Sequence, residues 1–168
     1  PLAATATSSI IVMPGLASAL VSYRKHLRKI PQLYWLLLLP CFIGSFVGAS
    51  LLRNTSFEAF ESYIPALLGV AVLLFIVQPF MHFHFHRHLH GKTKRLAPIV
   101  LIGIALLPLS LYGGYFGVGF GFVLLAFLGF SNLRSIHKIN ALKSIAALVI
   151  TFTTFLVLAE SGLIEWRQ

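Results

Sequence analysis

Charge is scarce in this sequence, and negative charge is scarcest. Only 10% of the 168 residues are charged, Lys and Arg number 13 against 4 Glu, and aspartate is absent. A soluble globular domain carries roughly 25% charged residues because water must hydrate its surface. The composition therefore argues against a soluble enzyme, a disordered tail and a nucleic-acid-binding module.

Cysteine is also scarce. The single Cys41 lies inside an apolar run at residues 34–52, so the chain cannot form an internal disulfide or build a metal site on thiolates alone. The first residues show no basic segment followed by a cleavage site, so no signal peptide is visible.

Long apolar runs fill most of the chain. Hydrophobic residues make up 58% of it, and the mean hydropathy is +0.89. The runs lie at about 2–22, 33–52, 63–81, 97–112, 115–130 and 141–159. A spanning helix needs roughly 20 apolar residues, a length that the fourth and fifth runs reach only marginally. The pattern predicts an all-α polytopic membrane protein in which this pair either crosses fully or dips in and returns.

The basic residues lie on alternate connections between the runs. Ten of the 13 fall in loops 23–32, 82–96 and 131–140, whereas all four Glu fall on the other side. By the positive-inside rule these three loops are cytoplasmic. The first run then leads inward and the last leads outward. This predicts one transmembrane domain over 1–168 with an inverted repeat, its first part at about 1–96 and its second at about 97–168.

Glycine is dense between the fourth and fifth runs. Gly113, Gly114, Gly117, Gly119 and Gly121 fall within nine residues. Glycine destabilises a helix by roughly 0.5–1 kcal/mol relative to Ala, so we expect the backbone to be broken or very closely packed there. Short or broken helices in an inverted-repeat bundle are typical of secondary transporters.

Three elements together resemble a known family. They are the run Tyr112–Gly121, the segment Asn140-Ala141-Leu142-Lys143-Ser144 and the segment Ser161–Trp166. They resemble the second half of TauE/SafE-type transporters, the sulfite and organosulfur exporter family, and residues 4–8 resemble an element of that family's first half. The glycine-rich motif before that element and the segments after Trp166 are absent, so we expect the chain to be the middle of a longer transporter.

The resemblance implies a secondary transporter, and an exporter, of small anions such as sulfite or organosulfonates. The candidate substrate-binding residues are Thr7, Ser8, Ser9, Gly113, Gly114, Gly117, Gly119, Gly121, Asn140, Lys143 and Ser144. They form a set rich in hydrogen-bond donors, which suits an anion. No Glu lies in the middle of an apolar run to serve a cation or proton pathway.

Each group also has a purely structural interpretation. Glycines can pack helices closely, which we expect of Gly44 and Gly48, and hydroxyls can bond to carbonyls of their own helix. Lys143 can extend to the cytoplasmic interface, although a lysine within the membrane is usually functional. Ser144 stands where many members of the family have Asn.

The alternating histidines His82, His84, His86, His88 and His90 offer a rival interpretation. In an extended chain they would share one face, and such tracts can bind Zn²⁺ or Cu²⁺. Because no Cys, Asp or Glu completes the ligand set, we favour a basic cytoplasmic loop anchored by phenylalanines. The alternatives to an anion exporter are a divalent-metal transporter that uses this loop, and a non-transporting membrane subunit.

The remaining expectations follow from the same residues. No nucleophile–base pair or metal triad can be assembled, so we expect neither an enzyme nor a cofactor. The expected partners are a small anionic substrate and the lipid bilayer, without nucleic acid, and a homo-oligomer stays open. The expected location is the cell membrane, as a multi-pass protein of a bacterial inner membrane.

Replacing all five histidines of the tract with Gln should leave anion transport largely intact, because they lie outside the predicted spans. Sulfite efflux at matched membrane levels of the two proteins measures this. Loss of transport in the variant at normal expression, together with transport that depends on added Zn²⁺ only in the unmodified protein, would favour the metal-transport alternative.

Overall fold

The computed structural model describes residues 2–88, 96–117, 119–129, 133 and 135–160, and these are helical almost throughout. The α-helices are α1 (Leu2–Leu27), α2 (Leu38–Asn54), α3 (Phe57–His88), α4 (Leu96–Tyr115), α5 (Phe120–Gly129) and α6 (Ile136–Ala159), with a 3₁₀-helix at Gln32–Leu37. No strand occurs in these ranges. The all-α prediction is confirmed, and each apolar run corresponds to one helix.

Two stretches of the described chain are long and apolar enough to cross a membrane, Gln32–Asn54 and Ile136–Ala159. Shorter apolar helices lie at Ile102–Tyr115 and Phe120–Gly129. The ten residues of α5 rise about 15 Å, half of the roughly 30 Å of a hydrocarbon core. The described helix of the fifth run is therefore about half as long as the hydrocarbon core is thick.

Apart from the buried Leu52, α2 buries mainly small residues and exposes large ones. Its exposed face carries Phe42, Ile43 and Phe46, of which 50%, 53% and 50% of the surface is accessible. Its buried residues are Cys41, Gly44, Ser45, Gly48, Ala49 and Leu52. Lipid solvates large apolar side chains and gives helices no hydrophobic reason to associate, so small residues form the contacts. This distribution is that of a membrane helix.

α2 packs most extensively against α4, through its glycines. A Cβ atom on Gly48 would collide with the carbonyl oxygen of Leu111, and one on Gly44 would lie 2.7 Å from the carbonyl oxygen of Leu107. Only a residue without a side chain allows backbones to approach this closely. The predicted packing role of Gly44 and Gly48 is confirmed.

The helix directions follow from these contacts. α2 and α4 are parallel, because Gly44 meets Leu107 and, further along both helices, Gly48 meets Leu111. α1 packs antiparallel to α6, because His26 near the end of α1 contacts His137 near the start of α6. These relative directions match the predicted map, whereas the repeat itself stays a prediction.

The histidine tract is helical where it is described, which corrects one expectation. α3 continues through His82, His84 and His86 to His88, so these residues are not part of an extended loop. Each residue added to an existing helix gains a hydrogen bond, and neither Gly nor Pro interrupts residues 80–88. Positions two apart lie on opposite sides of a helix, so the described part of the tract lacks the extended backbone that the rival interpretation requires for a single face. His90 lies outside the described residues.

Candidate functional site

The glycine-rich run interrupts the helix between α4 and α5. α4 ends at Tyr115 and α5 begins at Phe120. Between them Gly117 and Gly119 have φ angles of 76° and 75°, a region that residues with a side chain rarely adopt. The predicted break in the backbone is confirmed at these two glycines.

The other glycines of the run lie inside helices. A Cβ atom on Gly114 would lie 2.7 Å from Cα of Ser45, and one on Gly113 would lie 3.3 Å from Cγ2 of Ile150. These two glycines therefore hold α4 against α2 and α6. Gly121 is different, since nothing lies within 4 Å of a Cβ atom placed there.

The first turn of α5 directs its backbone N–H groups toward the break. The N–H groups that open a helix have no partner within it, and they carry a partial positive charge. Within this turn Phe122 donates its N–H to the carbonyl oxygen of Gly119 at 3.2 Å. Phe120 and Gly121 supply the preceding N–H groups. Such a helix start favours an anion.

Aromatic rings enclose the break on the side of α3. The ring centroid of Phe60 lies 6.0 Å from that of Tyr115 and 6.3 Å from that of Phe116. The hydroxyl of Tyr115 donates to Oγ1 of Thr55 at 3.3 Å, which ties the end of α4 to the end of α2. The α4 end of the break is thus held by α2 and α3.

A second group of candidates lies on α6. Asn140, Lys143 and Ser144 occupy adjacent turns of that helix, the first two half-buried and the third buried. The Ser144 hydroxyl donates to the carbonyl oxygen of Asn140 at 2.9 Å. Its one proton is therefore used within its own helix, so an anion at this height would be held mainly by Asn140 and Lys143.

The break and this second group lie at different heights along α6. Tyr115 and Phe116, which border the break, pack against the cluster that includes Leu158, fifteen residues beyond Lys143 and eighteen beyond Asn140. At 1.5 Å per residue these separations along α6 are about 22 Å and about 27 Å. The structure therefore does not gather all candidates around one point.

The candidates on α1 lie at the height of the break. Ser9 precedes His26 by 17 residues, and Thr154 follows His137 by 17 residues. Because the two histidines are in contact and the helices are antiparallel, Ser9 is level with Thr154 rather than with Ser144.

The hydroxyls at the start of α1 differ in exposure. Ser9 is buried and Ser8 is exposed, and each already has an interaction partner. The side chain of Thr7 lies outside the described residues.

Sequence analysis missed a group of buried hydroxyls on α6. Thr151, Thr153 and Thr154 are all buried. Thr153 donates to the carbonyl oxygen of Val149 at 2.8 Å, and Thr154 donates to that of Ile150 at 2.9 Å. The Thr-Phe-Thr-Thr run within an apolar segment was the available signal. It places further polar atoms at the height of the break.

Comparison with known proteins identifies the class of molecule. Residues 1–168, the whole chain, match the family described as Sulfite exporter TauE/SafE. The chain belongs to this family. The resemblance noted from the sequence is thereby confirmed, and the TauE/SafE family comprises membrane-integral transporters rather than enzymes. No curated protein and no solved structure matches the chain.

Family membership gives no support to the two alternatives, metal transport and a non-transporting subunit. Among the residues that the structure describes, no group of three or more His, Cys, Asp or Glu could hold a metal ion. The TauE/SafE chain is therefore best compared with transporters of small anions.

The positive φ at Gly117 predicts a difference between two substitutions in the same run. Gly117→Ala should lower the free energy of unfolding by about 1–2 kcal/mol, because a left-handed residue with a Cβ atom is strained. Gly121→Ala is the matched control and should leave it unchanged or raise it by up to about 1 kcal/mol, since the site is open and Ala favours the helix. Denaturant unfolding of both variants in detergent micelles measures the difference. Equal stability of the two variants would contradict a strained backbone at Gly117.

Proposed function

We propose that this TauE/SafE chain forms the core of a secondary transporter that exports small anions, sulfite or organosulfonates, across the inner membrane of a bacterium. The observation that carries the proposal is the family match over the entire chain. The composition supports it independently, because a chain with 10% charge and exposed aromatic residues on α2 requires a lipid environment.

The distribution of carboxylates supports an anionic substrate. Glu58 and Glu61 lie in the first turns of α3 and Glu160 ends α6, all of them exposed. Glu165 lies outside the described residues. The described interior thus carries hydroxyls, backbone N–H groups and the half-buried Lys143, with no carboxylate to attract a cation.

The separation of the candidates along α6 supports two successive contacts for the anion. One is the start of α5 with the N–H groups around Gly117, Gly119 and Gly121. The other is the pair Asn140 and Lys143, about 22–27 Å away along α6. An ion that passes between them would exchange one set of donors for another without meeting a carboxylate.

The arrangement of α1 and α6 supports the inverted repeat. Ser9 is the eighth residue of α1 and Ser144 is the ninth residue of α6, and these two helices are antiparallel. Corresponding polar elements would then lie at similar depths from opposite faces of the membrane. Loops 23–32, 82–96 and 131–140 are cytoplasmic in this proposal.

Efflux from proteoliposomes that contain the full-length transporter tests the proposed substrate class. Radiolabelled sulfite and taurine are loaded separately, and Zn²⁺ serves as the comparison. We expect protein-dependent efflux of at least one of the two anions and none of Zn²⁺. Zn²⁺ flux alone would support the metal transporter instead, and no flux of any of the three would support the non-transporting subunit.

Lys143 provides the sharpest test of the second contact. Lys143→Met retains the volume of the side chain but removes its charge, so transport should fall at least tenfold, equivalent to about 1.4 kcal/mol of lost stabilisation. Lys143→Arg keeps the charge in a different shape and should cause a partial defect. The measurement is flux against substrate concentration at matched membrane levels.

A lysine that only extends to the interface would give a different result. Lys143→Met would then transport almost normally, and Lys143→Arg would do so fully. Flux curves of Lys143→Met that coincide with the unmodified protein would remove this residue from the site. The break and the hydroxyls would then be the remaining candidates.

A further inference from the structure

Two histidines that the proposed function does not use meet where α1 ends and α6 begins. The ring centroids of His26 and His137 are 5.1 Å apart, with the ring planes inclined at 33°. The two residues come from distant parts of the chain, and the contact joins α1 to α6 at the end of the pair that we predict to be cytoplasmic. Tyr23 packs edge-on against His26, with ring centroids 6.3 Å apart.

One nitrogen of this pair lacks a hydrogen-bond partner. Among the residues that the structure describes, Nδ1 of His26 is the one buried side-chain nitrogen or oxygen atom without a hydrogen-bond partner. Folded proteins rarely leave such an atom unpaired, and an ion or a water molecule commonly completes it. The lone pair of a neutral imidazole nitrogen can accept a hydrogen bond or bind a metal.

The spacing of the rings suits a shared metal ion. Zn²⁺ binds imidazole nitrogen at about 2.0–2.1 Å in a tetrahedral arrangement, which places the centroids of two ligating rings about 5 Å apart. The observed 5.1 Å agrees with this separation.

We propose that His26 and His137 bind one divalent transition-metal ion, such as Zn²⁺, between the ends of α1 and α6. His137 is exposed and His26 is half-buried, so an ion can enter from the His137 side. No third His, Cys, Asp or Glu joins them within the described residues. Water therefore occupies the other positions, and the ion exchanges with solution, unlike one in a closed structural zinc site.

The surrounding charges set the strength of this site. Arg24, Lys25, Arg28 and Lys29 are exposed around the end of α1, and Lys138 is half-buried next to His137. These cations repel a divalent metal, but exposed charges are screened by salt. The affinity for Zn²⁺ should therefore rise as ionic strength rises, the opposite of a site built from carboxylates.

The test uses the whole chain with the five tract histidines replaced by Gln. Of the seven histidines in the sequence, this background keeps only His26 and His137, so the tract cannot obscure the result. Titration with Zn²⁺ in detergent should show one ion per chain and an increase in thermal stability, because the ion binds the folded state. His26→Gln and His137→Gln should each weaken binding at least tenfold and abolish that increase.

A neighbouring substitution provides the matched control. Lys138→Gln leaves both imidazoles in place and removes one positive charge, so Zn²⁺ binding should be retained or strengthened. Because a histidine variant could fold poorly, the background protein is also loaded with Cu²⁺ and studied by electron paramagnetic resonance, where we expect coupling to two imidazole nitrogens.

The proposal is overturned if either single histidine variant binds Zn²⁺ as tightly as the background, or if the background binds none. Coupling of Cu²⁺ to a single nitrogen would overturn it as well. These readouts do not involve transport, so their outcome is independent of the proposed substrate and direction.

Discussion

The approach of α2 to α4 is the contact on which the rest of the structure depends. In lipid the helices gain little from burying apolar surface, so association relies on close backbone contact. Each helix contributes a glycine to that contact. Gly48 of α2 lies against Leu111 of α4, and Gly114 of α4 lies against Ser45 of α2. Because Gly114 is fixed in this way, the end of α4 is fixed, and the reversal that follows it must begin at a defined depth.

That depth has a consequence for the polar backbone. If α4 spans the membrane, its 20 residues rise about 30 Å, the whole thickness of the hydrocarbon core. The break then lies near one face of the membrane, and α5 returns about halfway into it. Irregular backbone within a bilayer is tolerated only where protein or a water-filled cavity surrounds it. Phe60 and Phe116 supply protein on one side of the break, and α6 supplies it on another. Neighbouring helices thus cover part of the break.

The sequence predicted the helices and the close-packing glycines well, because apolar runs and small-residue spacing are local signals. It could not separate Gly113 and Gly114, which pack, from Gly117 and Gly119, which break the helix, since only tertiary neighbours distinguish them. It also could not place Ser9 level with Thr154, because that height depends on the antiparallel contact of α1 with α6. The sequence favours a loop for the histidine tract and offers an extended chain as the rival interpretation, whereas α3 continues through the described part of the tract because helix propagation outweighs the local pattern.

Hydroxyl groups show why a candidate site read from residue types can be too large. Ser144, Thr153 and Thr154 each use their proton on a carbonyl of their own helix, so they offer an anion only the oxygen lone pairs that repel it. The donors that remain on the described part of α6 include Asn140 and Lys143, with the start of α5 some distance away. For the proposed function, a small number of donors is useful. A transporter must release the anion that it binds, and fewer hydrogen bonds at each contact bind the anion less tightly.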